Sequence, residues 1–289
     1  MKYLLFIGCN IPARVQQYEI SARAVLTRLG IEAADDPAFK CCGNPIRNTD
    51  LESFLVMAAY NLALAENRGV DMMVLCKCCF GSLKKAAHLL DRDSELRDRV
   101  NDCLSGEGVE YTRSPKIKHL LSVLYNDIGI LALKDKISRP YINLNIATHY
   151  GCHALRPGNV TRFDNPVAPV LFDELVKLTG AESVDWTLKL ECCGAPVLGI
   201  QDDLSLNLTR RKIKNGLGAG ADFLCVACPF CQMQFDRVQQ MMSRDPERDH
   251  GLAALVYPQL LGLAMGIGAD TLALDMNKMN IGHIESYMG

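Results

Sequence analysis

Long apolar runs are missing from this 289-residue sequence. No stretch approaches the ~20 residues of a membrane-spanning helix, so no membrane span is expected. A charge of one sign is missing too. Lysine and arginine number 31 against 33 aspartates and glutamates, the net charge is −2, and no long basic run occurs. That balance excludes a broad nucleic-acid or polyanion surface. There is no phosphate-binding glycine loop, no dinucleotide fingerprint and no Ser-His-Asp arrangement, so neither NAD nor FAD is expected to bind. Low-complexity segments are absent as well. The opening "MKYLLFIGCN" ends an apolar run in Gly-Cys, as a lipoprotein signal does. The run from Tyr3 to Ile7 is too short for that, and it reads as a buried strand of a cytoplasmic protein.

Hydrophobic residues make up 49% of the chain and charged residues 22%, enough for a sizeable core, and the length suits two domains. Thirteen cysteines then need explaining. In a reducing compartment a disulfide framework is not expected, and a chain this long does not need one. Isolated cysteines read as buried free thiols. Ten of the thirteen, however, fall into two matching sets, which points to metal or redox chemistry.

In the first half, Cys9 is followed after 31 residues by Cys41-Cys42, and after 33 more by Cys76, with Cys79 closing a C-x-x-C. In the second half, Cys152 is followed after 39 residues by Cys192-Cys193, and after 34 more by Cys228 and Cys231. The contexts agree: "FIGC" with "HYGC", "CCGNP" with "CCGAP", "VLCKCCF" with "VACPFC". Duplication is the economical explanation.

Between the cysteines the pattern is that of an α/β protein. "KYLLFIG", "IEAAD" and "VDMMVLC" read as strands, and "VQQYEISARAVLTRLG" and "DLESFLVMAAYNLALAENRG" as helices, the latter with Asp50 as N-cap and a glycine stop. The second half repeats that order through "YINLNIATHYGC", "VAPVLFDELVKLTG", "AESVDW", "DDLSLNLTRRKIKNGLGAG" and "ADFLCVAC", then "PFCQMQFDRVQQMM". Arg92 to Asp127 reads as extra helices of the first half, and "VYPQLLGLAMG" as a closing core helix. The expected fold is therefore two similar α/β domains related by internal duplication about a pseudo-two-fold, residues 1–137 and 138–289. Each has a small, largely parallel sheet, with cysteines where strands hand over to loops or helices.

Thiolates are the usual ligands of iron–sulfur clusters and also hold zinc. Each set offers five where a tetrahedral zinc or an ordinary cubane takes four. Gly43 and Gly194 give the Cys-Cys loops backbone freedom, and Pro45 and Pro196 stiffen their exits. Five thiolates against four irons point to an unusual cluster, with a four-ligand site plus one spare thiol as the alternative. Iron–sulfur leads on spacing, and zinc and unmetallated thiols stay open. Cys225 precedes Cys228 and Cys231 in ferredoxin-like spacing, but the continuation is absent, so it reads as a core residue. Cys78 could replace Cys76 or Cys79 but fits the repeat less well. Cys103 has no partner in the pattern and reads as structural.

Two copies of C-x(31–39)-C-C-G-x-P followed by C-x-x-C resemble the tandem cysteine-rich "CCG" domains, and best the B subunit of methanogen heterodisulfide reductase. The resemblance covers nearly the whole chain. It implies two non-cubane 4Fe-4S clusters, one on Cys9, Cys41, Cys42, Cys76 and Cys79, the other on Cys152, Cys192, Cys193, Cys228 and Cys231. Zinc in the first repeat is the alternative. The implied reaction is reduction of the coenzyme M–coenzyme B mixed disulfide between the two clusters. The implied partners are a ferredoxin-like iron–sulfur C subunit, a flavin-bearing A subunit and, through the latter, a hydrogenase or formate dehydrogenase. His153 would be the proton donor, and Arg47 and Arg156 would receive the anionic arms of the substrate. Lys77 lies between Cys76 and Cys78. His149, His88, His119, His250 and His283 read as structural or uninformative. Arg210, Arg211, Lys212 and Lys214 read as the solvated basic face of a helix. Two competitors remain: a non-catalytic electron-transfer component of a lactate-, glycolate- or succinate-type oxidoreductase, and a zinc-stabilised scaffold.

Overall fold

The computed structural model describes residues 1–242 and 251–289, so His250 lies outside the described residues. Among the described residues, eight short strands form two sheets of four. β1 (Lys2–Phe6), β2 (Glu32–Ala34), β3 (Met72–Val74) and β4 (Ile117–His119) make the first, in the order β2-β1-β3-β4. β5 (Asn145–His149), β6 (Glu182–Ser183), β7 (Phe223–Val226) and β8 (Ala254–Val256) make the second, in the order β6-β5-β7-β8. Every pairing within the two sheets is parallel. The protein is thus two similar α/β domains in tandem.

Parallel strands are covered on both faces, so their sequences are continuous apolar runs rather than alternating ones. β1 and β3 are buried almost throughout, as are β5 and β7. The helix Gln16–Arg28 returns the chain from β1 to β2, and the helix Leu51–Arg68 from β2 to β3. That second helix starts where the Asp50 side chain accepts from the Ser53 N–H at 3.0 Å, and it stops at Gly69 with φ +64°. β4 and β8 occupy stretches that read as helix or went unassigned. Three residues cannot display a period, and each strand is recognisable only by its neighbour, β3 or β7.

In an open parallel sheet, ligands gather beyond the strand carboxyl ends, where the strand order reverses. Here that point lies between β1 and β3, and between β5 and β7. Cys9 follows β1, Cys76 follows β3, Cys152 follows β5 and Cys228 follows β7.

The halves pack through helices. The helix Tyr257–Ala264 lies on Gln16–Arg28, and the helix Lys77–Leu90 lies on the short turn Gly158–Thr161. Gly81 marks the tightest approach: a Cβ there would stand 2.5 Å from the His153 carbonyl oxygen. Backbone cannot give way as a side-chain tip can. Gly81→Ala is therefore expected to destabilise the protein by about 1–3 kcal/mol, the usual cost of overpacking. Chemical denaturation checks this, and a midpoint equal to wild type would contradict the contact.

Candidate metal centre

Two Cys-Cys-Gly loops hold the site, and each glycine is required twice over. Gly43 has φ +74° and Gly194 φ +97°, conformations that side chains resist. A Cβ on Gly43 would also stand 3.1 Å from the Phe54 carbonyl, and one on Gly194 would stand 2.6 Å from that of Ser205. Proline enters the 3-10 turn after each glycine. The following helix ties down the loop carbonyls. Buried Asn61 donates to Cys41 O at 3.2 Å and accepts from the Lys40 N–H at 2.8 Å. In the second half, Thr209 donates to Cys193 O at 3.1 Å, while Lys212 donates to Leu188 O and, at 3.1 Å, to Glu191 O.

The two thiol sets meet. Cys41, Cys42, Cys79, Cys76, Cys228, Cys231, Cys193, Cys192 and Cys152 run in one row, each side chain in contact with the next. The sulfurs of Cys76, Cys78 and Cys228 lie within 4.8 Å of one another. Cys9 stands off the row, exposed at the end of β1. It still lines the same small cavity, about 20 Å³, as Cys41, Cys42, Cys76, Cys78 and Cys79. A larger cavity of about 740 Å³ beside Lys84 and Arg162 has no cysteine in its lining, so size alone does not mark the site.

This donor set fits a metal group on electrostatic grounds. Burial and contact drive the thiols of each set apart in acidity, as groups that cannot all be charged together. Contact with Cys152 and Cys193 brings Cys192 down to about 2, and contact with Cys192 pushes Cys193 up to about 12. Cys42 and Cys228 are held well below the usual thiol range by S–H donors, while Cys78, Cys79 and Cys231 are pushed well above it. Each set thus stabilises few thiolates and penalises the rest. A bound cation removes that penalty by deprotonating the thiols outright.

His153 and Arg47 come together across the junction of the halves. The Arg47 guanidinium donates to His153 Nε2 at 2.8 Å, and His153 Nδ1 lies 3.0 Å from Cys78 Sγ. A guanidinium has no acceptor, so Nε2 accepts and the proton of the neutral ring sits on Nδ1, facing Cys78. Burial, then the Arg47 charge, lowers the histidine's pKa. Arg156 is exposed and forms no side-chain hydrogen bond among the described residues. Cys78 contacts Cys76 and Cys228 and faces His153, while Cys79 contacts Cys42 and Cys76. Cys225 is a fully buried residue within β7, and Cys103 is exposed.

Four residues are buried where the sequence reading did not mark burial. Lys212 is only 2% exposed, while Arg210, Arg211 and Lys214 are solvated as expected. Lys77 is fully buried, donating to Tyr150 O at 2.7 Å. Burial pushes both amines down to about 8 against the pull of nearby thiolates. His149 is buried beside Cys193 and Cys231, and both its ring nitrogens lack partners. His119 is also buried, its Nε2 3.1 Å from Leu75 O. The available signal was the repeat: Lys212 aligns with Asn61, a position the helix pattern buries.

The cysteine-rich domain family CCG matches this chain twice, over residues 3–84 and 146–236. The chain belongs to that family. The B subunit of a ferredoxin:CoB-CoM heterodisulfide reductase from Methanosarcina mazei is 38% identical over 96% of this chain and 94% of its own length. The membrane anchor subunit of an 8-methylmenaquinol:fumarate reductase from Wolinella succinogenes is 31% identical over 96% and 97%. Among solved structures, a hypothetical protein from Helicobacter pylori shares the fold with a TM-score of 0.77 at 19% identity, over 97% of this chain and 52% of that one. No helix among the described residues is long and apolar enough to cross a membrane.

Alkylation separates CCG ligands from spare thiols. In the metal-free protein, Cys9 and Cys103 are expected to react first with iodoacetamide, and Cys225 only after unfolding. Metal loading should protect Cys9 and leave Cys103 reactive. Mass mapping reads the outcome, and protection of Cys103 or continued labelling of Cys9 would contradict the assignment.

Proposed function

We propose that this chain is the disulfide-cleaving component of a heterodisulfide reductase, working on a coenzyme M–coenzyme B type mixed disulfide at the junction of its two thiol sets. The observation that carries this reading is the junction itself: two equivalent sets, duplicated and then brought into one row. Cys9, Cys41, Cys42, Cys76 and Cys79 would hold one non-cubane 4Fe-4S cluster. Cys152, Cys192, Cys193, Cys228 and Cys231 would hold the other. Bound there, the clusters supply one-electron redox chemistry to each half. Cleavage of one S–S bond takes two electrons and two protons and yields two thiols, so duplication gives each sulfur its own electron source.

The chain's own residues then position and protonate. His153 carries its proton on Nδ1 at the junction, where a leaving thiolate would need it. Arg47 fixes that tautomer through Nε2 and adds positive charge for a sulfonate, phosphate or carboxylate arm, with Arg156 at the rim. Electrons must come from a partner, a ferredoxin-like C subunit fed by a flavin-bearing A subunit and, behind it, a hydrogenase or formate dehydrogenase. The expected compartment is the cytoplasm. A second reading, an electron-transfer component without disulfide chemistry, is favoured by the fumarate reductase relative, which covers this chain equally well.

Anaerobic purification with iron, sulfide and zinc analysis is the first test, followed by turnover of the disulfide with a reduced donor. Iron and sulfide in both halves are expected, with two thiols released per disulfide. Cys41→Ser and Cys192→Ser should each lose the iron of their own half. Iron retained in both variants would sink the five-ligand assignment. Electron uptake without thiol release would leave the relay.

A further inference from the structure

The two thiol sets share a backbone frame and differ in the charge around it. Counted from the repeated cysteines, Phe6 corresponds to His149, Asn61 to Lys212, and Lys77 to Pro229. The glycines after β1 and β5 sample the same point in each half. A Cβ on Gly8 would meet Cys79 Sγ at 2.8 Å and the Phe6 ring at 3.8 Å. A Cβ on Gly151 would meet His149 Nε2 at 3.8 Å, Lys77 Cδ at 3.8 Å and Cys231 Sγ at 3.9 Å. One set is therefore walled by a phenylalanine where the other has an imidazole and a lysine.

Lys77 belongs to the first half but serves the second. Its Nζ donates to Tyr150 O at 2.7 Å and to His149 O at 3.4 Å, carbonyls of the strand end that leads to Cys152. Lys212 holds the second loop's carbonyls as Asn61 holds the first loop's, with a charge added. Neither ammonium forms an ion pair among the described residues, and the one carboxylate that acts on them, Glu191 on Lys212, does so without contact. His149 is 1% exposed with no hydrogen-bond partner at either ring nitrogen, and it lies within 4.8 Å of the Cys193 and Cys231 sulfurs. A buried ring that bonds nothing is costly unless it serves what those sulfurs hold. Besides Lys77, the first half brings Arg47 to the junction, and it is turned onto His153.

We propose that Lys77, Lys212 and His149 hold the second set's metal group at a higher reduction potential than the first set's, so that an electron entering the pair settles first on the second half. This rests on the reading that both sets hold iron–sulfur groups. Reduction adds negative charge, and uncancelled positive charge in a water-poor site stabilises the reduced form, as does an N–H aimed at sulfur. Equivalent ligands would give equal centres; the replaced surroundings make them unequal and give the pair a direction.

The test is a reductive titration of the anaerobic, iron-loaded protein followed by electron paramagnetic resonance. The Cys41→Ser variant, which lacks the first group, assigns each midpoint. The higher midpoint is expected in the second half. Lys212→Asn, which installs the first half's own residue, should lower it by about tenfold in the reduced-to-oxidised ratio, ~59 mV for one electron, with iron content unchanged. Lys212→Arg should leave it in place, and Asn61→Lys should raise the lower midpoint. If Lys212→Asn loses iron, Asn61→Lys and His149→Phe carry the comparison, and unchanged midpoints in both overturn the proposal. Equal midpoints in an iron-loaded wild type, or a higher one in the first half, also overturn it. Zinc in place of iron would instead overturn the functional reading.

Discussion

Negative charge with nowhere to go is the constraint on which this structure depends. Nine thiols stand in one mostly buried row, and each that ionises raises the cost for its neighbours. Water cannot relieve it there, and no carboxylate or apolar substitute would hold soft metal ions in its place. The positive glycine torsions, the carbonyl ties from Asn61, Thr209 and Lys212, and the close packing at Gly8 and Gly81 all follow from keeping those sulfurs in place.

The fold makes that placement inexpensive. A parallel sheet delivers two chain segments to one point wherever its strand order reverses, here β1 with β3 and β5 with β7. The Cys-Cys loop approaches the same point from β2 or β6. One α/β unit therefore assembles a five-thiol set without any long loop. A second copy, packed through Lys77–Leu90 against the loop carrying His153, joins the two sets. Neither half could make the row alone, because Cys76 and Cys228 complete it from opposite sides.

Much of this was legible in the sequence. The ten spaced cysteines, the repeat and the strand–helix order gave the tandem α/β fold, and Asp50 and Gly69 marked the ends of their helix. β4 and β8 were not legible, since a three-residue strand has no period and is defined by its partner. The thiols' meeting across the halves was expected, with His153 and Arg47 beside them; the surroundings of Lys212, His149 and Lys77 were not. Lys212 sits among solvated arginines in sequence, and only its face of the helix buries it. His149 ends a strand whose alternation says nothing of the sulfurs beside it. Lys77 acts across the domain junction, and no pattern local to its own half encodes that contact.

Everything above turns on both thiol sets binding metal and opening on one shared junction. The most direct measurement is iron-edge anomalous scattering from crystals of the anaerobically loaded protein. Two separate iron groups are expected, each enclosed by the five cysteines of one half, with His153 and Arg47 between them. A single iron group, or two that face opposite surfaces of the molecule, would contradict it.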